Sequence, residues 1–179
     1  MKSNGNKWYK RWIELADHIA SWSPDRGTKC GSVAVSSAGE EVLLATGYNG
    51  FPRGIASDPD AVPERWDRTD GVKYQWVEHA ERNCIYNAAR SGVSLWGATM
   101  YLNYAVECCS DCTRAIIQSG ISRVVGPNRP FPGKGAGKHY HTDDIPRNMM
   151  EEAGIEVVHV DMEKSEYSWM TYIPEDERA

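Results

Sequence analysis

From residue 98 onward, three short β-type runs, ATMYLN (98–103), SRVVG (122–126) and IEVVHV (155–160), alternate with segments of helical apolar spacing. Strands separated in this way pair in parallel, because a parallel pair needs a crossover of a dozen or more residues, usually a helix. Upstream, GSVAVSS (31–37) and VLLATGY (42–48) flank the turn residues AGEE, which predicts an antiparallel hairpin. A hairpin followed by two crossovers predicts an α/β fold: a three-layer α-β-α sandwich around a mixed sheet of about five strands.

Helices are expected at about 7–21, where Trp8, Trp12, Leu15, Ala16 and Ile19 share a face before Pro24, and at 78–90, ending at Ser91-Gly92. Two more are expected at about 110–119 and 145–153, with Pro146 tolerable in the first turn. GFPRGIASDPDAVPER (50–65) reads as an irregular loop, and 127–142 as a long one of the kind that serves as a lid, an interface or a disordered segment. The 179 residues make one domain, with a core over about 8–160 and a tail from 161 to 179 that begins aromatic and ends charged.

Hydrophobic residues at 41% and charged residues at 25% give the balance of a globular chain. A net charge of −5 argues against nucleic acid as a partner, because such binding draws its affinity from clustered Lys and Arg. No stretch approaches the roughly 18–20 apolar residues of a membrane span, so no membrane partner and a cytoplasmic location are expected. Thiols stay reduced there, and five cysteines is an odd count, so a disulfide framework is the poor reading of Cys30, Cys84, Cys108, Cys109 and Cys112.

In VECCSDCTRAII (106–117), Cys109 and Cys112 have C-x-x-C spacing at the start of an expected helix, where residues three apart share a face and exposed N–H groups favour thiolates. That spacing alone does not decide among zinc, redox chemistry and chance. Upstream, VEHAERNC places His79 and Glu81 at the start of another helix. His, Cys, Cys leaves one tetrahedral position of Zn²⁺ open, the arrangement of a catalytic site; a closed structural zinc or reduced core thiols are the alternatives. Glu81 lies roughly 200° around the helix from His79. It is therefore poorly placed as a second ligand but able to border the open position.

His79-Ala80-Glu81 with Cys109-Ser110-Asp111-Cys112 resembles the zinc-dependent cytidine and deoxycytidylate deaminase superfamily, whose signature is H-x-E with a downstream P-C-x-x-C. GYNGFPRG (47–54), YQWVEHAERN (74–83) and CTRAIIQSGI (112–121) are similar in content and order to its deoxycytidylate (dCMP) deaminases, and DRGTKCGSVAV (25–35) matches more loosely. Cys108 stands where the family has proline. On this resemblance Cys109 and Cys112 bind zinc with His79, and Cys108 is the spare thiol, a small buried side chain.

The resemblance implies a cytidine deaminase-like fold and hydrolytic deamination of dCMP to dUMP, with dCTP, both dCMP and dCTP, or a 5-substituted dCMP as rival substrates, and a polynucleotide deaminase or a non-catalytic zinc-binding module as less favoured readings. One catalytic zinc per chain and Glu81 as the proton carrier follow, with Asn49 on the sugar or base, Thr28 lining the pocket, and backbone N–H groups near Ala80 and Cys109 as candidates for holding the base or the developing charge at the two helix ends. Arg26, Lys29 and Arg53 flank these stretches as candidates for the phosphate, Tyr140 to stack on the base and His141 to sit at the mouth. A second, structural zinc has unassigned Cys30, His18, His139, His141 and His159 to draw on. The family also implies a homo-oligomer, often a hexamer, and dCTP or dTTP as effectors, with Mg²⁺ accompanying such a nucleotide. GKGAGK (133–138) is not a P-loop, since Pro132 and His139 stand where that motif needs glycine and Ser or Thr.

Overall fold

A computed structural model describes residues 5–36, 42–106, 108–128 and 144–162. Helix α1 (Gly5–Ala20) precedes β1 (Gly31–Val35) and β2 (Leu43–Tyr48). A 3₁₀ turn at Pro63–Trp66 and the short α2 (Val72–Trp76) lead to α3 (Ala80–Arg90) and β3 (Thr99–Leu102). Two crossovers follow: α4 (Ser110–Gln118) into β4 (Arg123–Pro127), then α5 (Asp144–Glu152) into β5 (Glu156–Val160).

The five strands form one sheet in the order β2-β1-β3-β4-β5, with β1 antiparallel to both β2 and β3, and β3, β4 and β5 mutually parallel. This is the expected mixed sheet. Both crossovers step in the same direction across the sheet, so right-handed connection puts α4 and α5 on one face. Cys84 and Ala88 of α3, Ile116 of α4 and Met150 of α5 pack there against Ala34, Met100, Leu102 and Val124. On the other face Ile13, Ala16 and Ile19 of α1 cover Val33, Val35, Tyr101, Val125 and Val160. Strands β1 and β3 are buried along their whole length, as strands covered on both faces must be.

Two glycines set how closely the helices approach. A Cβ on Gly31 would lie 2.0 Å from the Ala16 carbonyl oxygen of α1, and one on Gly47 would lie 2.4 Å from the Ala80 carbonyl oxygen of α3. The Ser32 hydroxyl, donating to that Ala80 oxygen at 2.8 Å, ties the first turn of α3 to the sheet. The edge strand β2 and the centre of the sheet therefore fix where α3 begins.

Some expectations shift. Helix α3 starts at Ala80, with His79 in an extended conformation at its N-cap, and α4 starts at Ser110, with Cys109 in the same role. Pro127 closes β4 opposite Val160, where the sequence predicts a loop. The 3₁₀ turn and α2 were not expected, and the greater part of the predicted loop 127–142, with Tyr140 and His141, lies outside the described residues. No described helix is long and apolar enough to cross a membrane.

Candidate active site

The N-termini of α3 and α4 bring His79, Cys109 and Cys112 together. His79 and Cys109 sit at the N-caps of α3 and α4. His79 Nδ1 lies 3.4 Å from the sulfurs of both Cys109 and Cys112, and the three ligand atoms are all within 4.8 Å of one another. Zn–N near 2.0 Å and Zn–S near 2.3 Å at a tetrahedral angle imply an N···S edge of roughly 3.5 Å, so this donor set fits zinc. Among the described residues it is the one cluster of His, Cys and carboxylate groups able to hold a metal ion.

The electrostatics agree. The Cys109 thiol is drawn down to about 3 by its hydrogen bond with Cys112 and by the imidazole of His79, while the same bond pushes Cys112 up. The two sulfurs therefore share one proton, and a dication would displace it. Burial alone would lower His79, but its bond to Cys109 and the Glu81 charge raise it. Arg82 pairs with Glu78 of the preceding turn and reaches Asp111 of α4 at 3.5 Å, tying the two helix starts together. Burial opposes its charge, yet Glu78, both thiols and Asp111 hold it above its ordinary value.

Glu81 is 2% exposed, and its Oε2 has no hydrogen-bond partner among the described residues. A buried carboxylate oxygen without a donor is costly, so this atom is aimed at something a ligand supplies. It lines a cavity of about 110 Å³ together with His79, Ala80 and Cys109. A single water needs only about 10–15 Å³, so the space accommodates a small organic molecule.

Thr28, Asn49 and Cys108 also line this cavity, and Cys112 sits behind it, fully buried. The Asn49 amide is engaged within the protein: its oxygen accepts from the Cys30 N–H at 2.8 Å, and its nitrogen donates to Thr28 O at 2.8 Å and to Asp25 at 3.1 Å. It clamps the 25–30 loop against the end of β2. Arg26, Lys29 and Arg53 do not line the cavity. Arg26 pairs with Asp60 on the surface at 2.6 Å, Lys29 donates to the carbonyls of Ser21 and Ser23, and Arg53 bonds Asn87 at 2.5 Å.

The cations in the wall are Arg68 and Lys73, from a segment in which the sequence shows no motif. Their only sequence signal is position, since ERWDRTDGVKYQW (64–76) runs almost directly into His79. Burial opposes the Asp25 charge, but contact with Lys73, the Gly27 N–H and the charge of Arg68 hold its carboxyl below the ordinary value. Burial draws Lys73 down, with Asp25 opposing.

The sequence pattern of the family described as "Cytidine and deoxycytidylate deaminase zinc-binding region" matches residues 6–126. The chain belongs to this deaminase family. Its relatives include the deoxycytidylate deaminase of Enterobacteria phage T4, 44% identical over an alignment covering 74% of this chain and 82% of that one. The human deoxycytidylate deaminase is 33% identical over 66% of this chain and 64% of its own, so the chain spans just under two thirds of that enzyme's length. Among solved structures, the dCMP deaminase of cyanophage S-TIM5 in complex with dCMP and dUMP superimposes with a TM-score of 0.61 at 25% identity, over 88% of this chain and 97% of that one. In this deaminase family the zinc-binding region is defined as such, and His79, Cys109 and Cys112 are the candidate ligands the chain brings to it.

Proposed function

We propose that the chain catalyses hydrolytic deamination of dCMP to dUMP, using one zinc held by His79, Cys109 and Cys112. The carrying observation is the convergence of these three ligand atoms, two of whose residues, His79 and Cys109, line the same cavity as Glu81, whose Oε2 has no partner among the described residues. Relatives that act on deoxycytidylate supply the substrate class. Zinc, when bound, supplies the acidity that makes water a nucleophile near neutral pH. Glu81 takes one proton from that water and passes it to N3 of the cytosine, then takes the second from the hydroxyl now on C4 and delivers it to the amino group, which leaves as ammonia while C4 becomes a carbonyl. Oxygen enters from water, nitrogen leaves, and Glu81 ends as it began. Ala80, at the first turn of α3, lines the same cavity, which supports its backbone N–H as a donor to the base.

Ammonia release from dCMP, dCTP, CMP, deoxycytidine and 5-methyl-dCMP tests this reading. Highest kcat/KM on dCMP is expected; a higher value on dCTP or on 5-methyl-dCMP would move the assignment to the rival substrate. The family resemblance also supports a homo-oligomer that responds to dCTP and dTTP carrying Mg²⁺, which sedimentation with and without each nucleotide measures.

A further inference from the structure

The cavity has a closed end and an open one. Glu81 and Cys109 at one end are 2% and 7% exposed, whereas Tyr74 at the other is 42% exposed and the Arg68 side chain 38%. A ligand whose reacting carbon lies at Glu81 must present its remainder toward Arg68. Of the two cations in the wall, Lys73 is buried and committed to Asp25, so the pair cancels in charge. Arg68 leaves one positive charge at the mouth.

Its contacts there are long. Nη2 lies 3.4 Å from Asp25 Oδ1 and 3.5 Å from Thr28 Oγ1, and Nη1 and Nε have no partner among the described residues. Arg68 adds to the positive field at Asp25, but Asp25 accepts shorter bonds from Lys73, Asn49 and the N–H groups of Gly27 and Thr28. Gly27 gives the guanidinium its room. A Cβ at that position would lie 2.1 Å from Arg68 Nη2 and 2.7 Å from its Cζ. Gly27 is not among the glycines with positive φ, so space rather than backbone conformation is what a side chain there would violate.

We propose that Arg68 is the residue that receives the 5′-phosphate of the substrate, and that Gly27 keeps the position open for it. The inference rests on the deaminase reading above and adds how a nucleotide is told from a nucleoside. A planar guanidinium with unused donors can grip a phosphate through two parallel bonds, which a weak side contact to an already satisfied carboxylate does not match.

The test measures kcat/KM for dCMP and for deoxycytidine in the wild-type protein and in Arg68→Ala, Arg68→Lys and Gly27→Ala, with zinc content and melting temperature for each. In Arg68→Ala the dCMP-to-deoxycytidine ratio should fall on the order of ten- to a hundredfold, mainly through KM, since the lost bond serves ground and transition states alike. Arg68→Lys should restore part of it. Gly27→Ala should lower the ratio with Arg68 still present, because the far end of a flexible side chain yields to the new methyl group while the fold stays intact. A wild-type preference for dCMP that survives in both Arg68→Ala and Gly27→Ala overturns the assignment of Arg68 and leaves the deaminase reading standing. Equal use of dCMP and deoxycytidine by the wild type overturns the nucleotide reading, and this assignment with it.

Discussion

Glu81→Gln keeps the shape of a side chain that is almost wholly enclosed and removes its capacity to carry protons. Turnover should drop about 10²- to 10⁴-fold with zinc content and melting temperature near wild type, as assays on matched, metal-analysed protein will record. Asp25 carries a different load. Its carboxyl is held below its ordinary value by Lys73 and neighbouring N–H groups despite burial, so its stabilisation is present above the unfolded pKa of about 3.9 and is lost as pH falls through the lower folded value. Asp25→Asn leaves Lys73 buried without its ion-pair partner, a loss of about 3–5 kcal/mol at neutral pH, and should flatten the acid limb of the stability curve. Denaturant melts of both proteins from pH 2 to 7 measure this. His79, Cys109 and Cys112 were legible as a set because each sits within a turn of a helix start, and Glu81 because it lies two residues from His79. Arg68 was not, because its place depends on how a motif-free segment folds back over the 25–30 loop.

At the scale of elements, Gly47 decides how near α3 comes to β2. In Gly47→Ala the new methyl group would meet the backbone of Ala80 and Cys84, atoms that cannot swing aside as a side-chain tip can. The first turn of α3 must then move, and with it His79 and Glu81. A stability loss of about 1–3 kcal/mol is expected, with a drop in activity that saturating zinc does not repair, measurable by denaturant melts and steady-state assays. The strands and longer helices were readable from period alone, to within a few residues at each end. The segment from 50 to 76 was not, because rings hold it: Phe51 stacks on Trp66 at 4.4 Å, and Arg65 lies over Trp76 at 4.5 Å. Contacts of that kind leave no periodicity, so the 3₁₀ turn, α2 and the two wall cations they position could not be foreseen.

Across the whole molecule, the sheet is the frame that aligns chemistry. Parallel strands β3 and β4, joined by α4, put the start of that helix beside the start of α3, and the candidate zinc ligands are divided between the two. A chain with net charge −5 thus concentrates at one cavity His79, the Cys109 thiol, the buried Glu81 and the Arg68 guanidinium. The most direct test of the central claim strips the protein of metal, returns zinc in measured steps and follows dUMP formation from dCMP, alongside Glu81→Gln. Activity should rise linearly and level off at one zinc per chain, while the variant binds the same zinc and stays near baseline. Full turnover in metal-free protein, or in zinc-loaded Glu81→Gln, would contradict the account.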